Sequence, residues 1–388
     1  MKHLMKKETT CRALVNADGM RTGRTALMFM AMLMLASCAN QTSGNEASIE
    51  EEAVVPSLSE DISDVVSIVD VRPIDESVLF AGVSKLLNAG QGNLFILDSR
   101  GAIISLNGDG RQGPLKLTRG RASNEYVSAS DICYIDGKLC VLENARIKVF
   151  DIYDTHKNFQ IDLTGLDDPA DALAVVPGDR FYLFSAFSMS SRSDKKGRGY
   201  TLRMIDRDGH LISESIPRED CTFSMNNISQ SGDNTYYLRP QNSESIFYRL
   251  EKDGPVPAFK VDFGDKAMPA RYFYDAAGED IGAYMLSDYY KLPMDYHETG
   301  DYIYIRFCGS QASECSMVYS RKSKKCIAWQ NTREDSAFRI LGSDKDGFIL
   351  IPSNNDGDYG PLGRVVRPSL EEKCADGQSA IVRIKFSF

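Results

Sequence analysis

The sequence predicts an all-β fold, a six-bladed β-propeller of four-stranded antiparallel blades, on three observations. Short apolar or alternating runs recur six times beyond residue 60: Leu94-Phe95-Ile96-Leu97, Leu139-Cys140-Val141-Leu142, Phe181-Tyr182-Leu183-Phe184, Thr235-Tyr236-Tyr237-Leu238, Tyr302-Ile303-Tyr304-Ile305 and Phe348-Ile349-Leu350-Ile351. Each follows a turn signal such as Asp136-Gly137, Gly300-Asp301 or Asp346-Gly347. Their starts lie 45, 42, 54, 67 and 46 residues apart. A unit of roughly 40–50 residues holding several strands is the period of a propeller blade. A sandwich has no reason to repeat one strand–turn–strand unit six times.

Before the repeats, Arg21 and Arg24 precede an apolar run over residues 26–35, followed by Ala36, Ser37 and Cys38. A basic flank, a short apolar core and small residues make a secretory signal, here residues 1–37. The run falls well short of the ~20 apolar residues that span a bilayer. Residues 1–18 add nothing such a signal requires, so Met20 reads as the start. Leu35-Ala36-Ser37-Cys38 resembles the lipobox of bacterial lipoproteins, which implies a diacylated Cys38 as the mature N-terminus.

Residues 38–61 are polar, with Glu50-Glu51-Glu52 and Pro56, and read as a disordered tether whose removal leaves stability nearly unchanged. From residue 62 to residue 388 the composition turns apolar enough for a sizeable core. Val65-Val66-Ser67-Ile68-Val69-Asp70-Val71 is a strand left over before the first unit. The last unit has three strands, ending in Ala380-Ile381-Val382-Arg383-Ile384-Lys385-Phe386, so the early strand is expected to complete it and close the ring. Between these strands lies a Gly/Asn/Pro-rich insertion, and no well-capped amphipathic helix of normal length is evident anywhere.

Ser67-Ile68-Val69-Asp70-Val71-Arg72-Pro73-Ile74, Ile96-Leu97-Asp98-Ser99 and Ile381-Val382-Arg383-Ile384-Lys385 resemble the six-bladed β-propeller lipoproteins of Gram-negative bacteria, themselves similar to NHL-repeat propellers. The resemblance spans roughly residues 62–388. It implies this fold and an envelope location, and no agreed reaction. The G-x-G-P-G-E-Y stretch of that family reads here Gly120-Arg121-Ala122-Ser123-Asn124-Glu125-Tyr126, with two glycines and the proline replaced.

Charge narrows the partners. The chain carries 45 basic and 54 acidic residues; without the six basic and two acidic ones of the signal, 39 and 52 remain, a net −13. Such a surface is repelled by nucleic acids and anionic membranes, leaving the lipid as the only membrane contact. No metal site or cofactor is expected. Gly108-Asp109-Gly110-Arg111-Gln112-Gly113 leads into a strand rather than a helix, and so reads as a turn, not a dinucleotide site. Asp344-Lys345-Asp346-Gly347 lacks the acidic twelfth position of a calcium loop. His156, His210 and His297 all read as exposed turn histidines. Cys133 and Cys140 face each other if Asp136-Gly137 makes a two-residue turn; they are the candidate disulfide, or else two small residues in a blade core.

Binding residues are expected on the links from each outer strand to the next inner one, beside the channel mouth. These links bring forward Arg121, Glu125, Tyr126, Asp167, Asp168, Arg218, Glu219, Tyr289 and Tyr290. Mixed charge beside tyrosine suits a protein, peptide or glycan ligand. The leading expectation is therefore an outer-membrane envelope lipoprotein acting as a binding module. The alternatives are a hydrolase or lyase with a site in the central channel and a structural component of an envelope complex. Labelled fatty acid should enter the wild-type protein and be lost, with release from the membrane, in Cys38→Ser; labelling that survives this substitution contradicts the lipobox.

Overall fold

Six small antiparallel sheets follow one another along the chain in a computed structural model that describes residues 48–166, 169–185, 199–217, 228–232, 234–239, 245–269, 272, 286–331, 338–353 and 360–388. Blade 1 holds Val83–Asn88, Leu94–Asp98 and Ile103–Leu106, and blade 2 runs from Asp131–Ile135 through Lys138–Glu143 and Arg146–Asp151 to Phe159–Asp162. Blade 3 opens with Ala172–Val176 and ends with Leu211–Pro217; blade 4 opens with Ile228–Gln230 and ends with Gly254–Asp262. Blade 5 opens with Lys291–Glu298 and ends with Cys326–Gln330. Within each blade the first strand lies innermost. It touches the first strand of the next blade, and blade 6 returns to blade 1. The fold is the predicted six-bladed β-propeller.

Ring closure occurs where the patterning placed it. Blade 6 combines Ile340–Asp344, Gly347–Leu350 and Ala380–Phe386 with Val66–Pro73, which pairs antiparallel to Ala380–Phe386 from Val66↔Phe386 to Pro73↔Ala380. The apolar face of each blade packs on its neighbours. One cluster joins blades 2, 3 and 4, a second blades 4 and 5, and a third blades 5 and 6. Blade 1 departs from the four-stranded pattern. Its edge strand Ile103–Leu106 is fully buried and is covered by irregular chain: Gly113 N donates to Ser105 O at 2.7 Å, and Ile103 N donates to the Tyr126 hydroxyl at 3.0 Å.

Where no helix was expected, the insertion before the last strand contains one, Pro361–Lys373. Pro361 begins it, where a missing N–H costs nothing. Leu362, Val366 and Leu370, four residues apart, bury one stripe among the residues of blades 5 and 6. Pro368 inside the helix and Gly363 hide this period from a reading by composition.

Residues 49–61 likewise are not a disordered tether. Glu51–Val54 adds a fifth, parallel strand to the outer edge of blade 4, and Leu58–Ser59 does the same for blade 5. The chain thus runs as a belt over the rims of blades 4 and 5 before entering blade 6. Every member of the glutamate run finds a cation on the rim. Glu50 takes both Arg249 Nη atoms at 2.8 Å, Glu51 takes Arg321 at 2.8 Å and Lys324 at 3.2 Å, and Glu52 takes Lys260 at 2.5 Å. The hydrogen bond to Arg249 holds the Glu50 carboxyl below the usual carboxylate range. Ala53, which follows Glu52 in the same strand, is buried in the core of blades 4 and 5. A polar run is extended and ordered here because the rim offers it both backbone partners and opposite charge.

Surface ion pairs contribute only about 0.2–1 kcal/mol each, so backbone pairing carries most of the belt's hold. Removal of residues up to 61 is expected to cost on the order of 3 kcal/mol, from several hydrogen bonds at ~1 kcal/mol each. Thermal denaturation should therefore show a midpoint several degrees lower than for a chain trimmed only to residue 48. Equal midpoints would mean that the belt contributes nothing.

Candidate functional site

The inner strands line a central channel, and polar residues interrupting their apolar runs point into it. A cavity of about 180 Å³ at one end is lined by Lys85 of blade 1, Asp131 of blade 2, Gln230 of blade 4, Asp295 and His297 of blade 5, and Arg339 at the start of blade 6. Ser84 and Ser130 stand exposed at its mouth. Farther along the same inner strands, Gln230 and Asn88 reach across the channel. Asn88 N donates to Gln230 Oε1 at 2.9 Å and Gln230 Nε2 donates to Asn88 O at 3.3 Å, which floors the cavity. Beyond this floor a second, wider depression of about 840 Å³ opens among the hairpin turns of blades 1, 4 and 6.

Two ion clusters hold the charged lining in place. Lys85 Nζ donates to both oxygens of the buried Asp131 carboxylate at 2.8 and 3.0 Å, and Leu173 N of blade 3 donates to the same group at 2.8 Å. One carboxylate thereby ties three blades together. On the other side Arg306 donates to Asp295 and to Glu314, both at 2.6 Å. Burial alone would raise the Asp295 pKa, but the charges of Arg306 and Arg339 prevail and hold it at about 2.

Asp295 and His297 reach the channel through a doubly bulged strand. Register breaks between Lys291 and Met294 and again between Met294 and His297, with Leu292 at φ 52° and Asp295 at φ 49°. Positive φ costs a non-glycine residue about 1–3 kcal/mol and persists where the surroundings enforce it. They do: Arg239 Nε donates to Pro293 O at 2.6 Å, and Tyr296 N donates to Ser229 Oγ of blade 4 at 3.1 Å. The bulges leave Asp295 and His297 both facing the channel.

His297 is buried, stacked on Tyr304, with Nδ1 3.3 Å from the Gln230 carbonyl. A carbonyl only accepts, so Nδ1 carries the proton and Nε2 is left as an acceptor. Burial pushes the imidazole pKa down to about 4. The exposed-turn reading holds for His156 and His210 but fails for His297, because a bulge lets a polar ring enter an inner strand.

The described members of the expected binding set lie outside this cavity. Tyr126 is buried, its hydroxyl holding the edge of blade 1, and is no surface residue. Glu125 folds back to accept from Ala122 N at 2.9 Å, so close over Gly120 that a β-carbon there would meet its carboxylate at 1.9 Å. Lys148 anchors the same link by donating to Glu125 O at 2.5 Å. Arg121 is exposed. Tyr290 packs between Phe263 and Phe307, and Tyr289 against Tyr272. Tyr126 packs in the core shared by blades 1 and 2, and Tyr290 in that of blades 4 and 5. Asp167, Asp168, Arg218, Glu219 and Cys38 lie outside the described residues. Cys133 and Cys140 are directly opposed as expected, both buried and both free thiols. The signal that marks the channel site was present as Asp295-x-His297 and as Lys85 and Asp131 in otherwise apolar strands.

The His297 pKa has a consequence for stability. Its folded value of about 4 lies below the ordinary 6.5, so between those pH values the unfolded chain binds more protons and stability falls as pH falls. The loss is on the order of 3 kcal/mol by pH 4. Asp295 acts in a lower window, between its ordinary 3.8 and about 2. Urea unfolding from pH 7.5 to pH 4 should show a steeper decline for the wild type than for His297→Gln; parallel curves would contradict a buried neutral imidazole.

Among the described residues no helix is long and apolar enough to cross a membrane. Among curated proteins none matches in sequence. Among solved structures the chain resembles a protein from Bacteroides fragilis NCTC 9343 described as exported, with 11% identity, TM-score 0.64, and coverage of 88% of this chain and 100% of that one. The PQQ domain of pyranose dehydrogenase from Coprinopsis cinerea also aligns, with 10% identity, TM-score 0.40, and coverage of 85% and 100%. So does an extracellular domain of a one-component system from B. thetaiotaomicron, with 10% identity, TM-score 0.39, and coverage of 78% and 33%. The likeness to the Bacteroides fragilis protein is one of fold. Residues 45–349 match the profile described as 6-bladed beta-propeller, and with the closed ring of six blades this chain belongs to that family.

Proposed function

We propose that the protein is an exported, lipid-anchored binding module of the bacterial cell envelope, held at the outer membrane through Cys38, that receives a small polar ligand or chain end in its channel mouth. The signal-like run before Cys38 and the exported description of the Bacteroides fragilis neighbour support the location. One observation carries the activity: the doubly bulged strand of blade 5 directs Asp295 and His297 into the channel beside Arg339, at a cost in backbone strain. Strain of this kind is kept where a site needs it.

The protonation states favour binding over acid–base catalysis. A general acid or base works best with a pKa near the working pH. His297 at about 4 and Asp295 at about 2 are both far from neutrality. They serve as fixed acceptors, neutral and anionic. A protein, peptide or glycan partner would present one small end to the cavity, since 180 Å³ holds on the order of ten waters.

A thermal-shift screen of amino acids, short peptides, monosaccharides and oligosaccharides should find a stabilising ligand, worth about 2.7 kcal/mol at one hundred times its Kd. Ser84→Trp, which places a bulky ring at the mouth, should abolish the shift. A ligand whose stabilisation survives Ser84→Trp binds elsewhere and removes the channel from consideration.

A further inference from the structure

We infer that the channel mouth recognises the α-carboxylate of an amino acid, either free or at the C-terminus of a peptide. This rests on the channel-mouth reading and deepens it. Lys85 is committed to Asp131, and Arg306 to Asp295 and Glu314. Arg339 has one hydrogen bond, from Nη2 to the Val83 carbonyl at 3.4 Å, and among the described residues no carboxylate within ion-pair reach. A guanidinium has five N–H donors in a planar fork that matches a carboxylate. Most of that fork is unused and half-buried at the cavity wall.

Opposite charge and hydrogen-bond sense set the second requirement. Asp295 gives Oδ2 to Arg306, which leaves Oδ1, and His297 leaves Nε2. Both are acceptors, so the ligand brings a donor close to its carboxylate. An α-ammonium or a peptide N–H is such a donor. Ser229, Gln230 and Leu341 complete the wall, with Leu86, Leu97, Ile228 and Ile340 behind it, their side chains buried in the blade cores. A neutral sugar brings no anion to the Arg339 guanidinium. The cavity volume suits one residue, and the exposed Ser84 and Ser130 mark where the remainder of a peptide would leave.

Isothermal titration of the full chain with L-leucine and with Ala-Ala-Leu, each beside its C-terminal amide, tests the assignment. At least one acid should bind, with its amide roughly 10- to 100-fold weaker, because a hydrogen bond to a charged group is lost. Arg339→Gln should weaken the acid by a similar factor, Arg339→Lys by less, and Ser84→Trp should abolish binding, with circular dichroism confirming that each variant is folded. Tighter binding of leucine identifies a free amino acid as the natural source, and tighter binding of the tripeptide a chain end; both support the inference. Equal affinity for acid and amide overturns it, as does indifference to Arg339→Gln. Failure of every acid alongside a neutral sugar whose binding is sensitive to Ser84→Trp overturns the ligand class and leaves the channel site standing. If no ligand is sensitive to Ser84→Trp, both readings fall together.

Discussion

The pairing of Val66–Pro73 with Ala380–Phe386 is the contact on which the rest of the molecule depends. Each blade is a small sheet that cannot bury its apolar faces alone, so stability comes from stacking against two neighbours. An open ring would leave two blades each with one face exposed, and a sheet edge without partners. Joining the first long strand to the last blade removes both defects at once. It also places Ile68, Val71, Val382 and Ile384 in the core shared with Trp329 of blade 5, so closure is itself a packing event. The belt formed by Glu51–Val54 and Leu58–Ser59 extends the same logic outward, pairing the exposed outer edges of blades 4 and 5.

Closure brings six inner strands around one axis, and that crowding decides where polar groups lie. Residues that would be isolated charges in a separate sheet meet partners from other blades. Asp131 joins Lys85 and Leu173 N, and Gln230 meets Asn88 across the channel. A buried ion pair gains little net stability over apolar packing, but removing one partner costs about 3–5 kcal/mol. Such contacts therefore act more as registry devices than as sources of stability: a blade displaced along the axis would strand a charge. The buried pair of Tyr134 and Tyr236 does similar work between blades 2 and 4, with the Tyr236 hydroxyl accepting from Tyr134 N and donating to Tyr134 O.

Against this well-paired background the mouth of the channel stands out as locally strained and locally unsatisfied. The inner strand of blade 5 gives up regular pairing twice, and neighbours in blade 4 absorb the consequences through Arg239 and Ser229. The result is a small set of fixed acceptors next to a guanidinium with most of its donors free. Preorganised groups of this kind bind without reorganisation, which is what a rigid scaffold provides and a flexible loop does not.

Periodicity carried the blade count, the strand–turn units and the ring-closing strand, because apolar patterning and Asp-Gly turns act within a few residues. Polarity misled wherever a partner came from far along the chain. Glu50-Glu51-Glu52 reads as disordered until Arg249, Arg321, Lys324 and Lys260 are brought to it, and Tyr126 reads as a surface aromatic until blade 1 needs its hydroxyl. Pro368 concealed a helix whose stripe matters only once blades 5 and 6 supply a surface for it. His297 looked like a turn residue because nothing local announces the two bulges that carry it inward. The sequence by itself determined the architecture, since strands and turns are set by local periodicity. Only the tertiary structure decided the site, since its charges belong to blades 1, 2, 5 and 6 and meet when the ring closes.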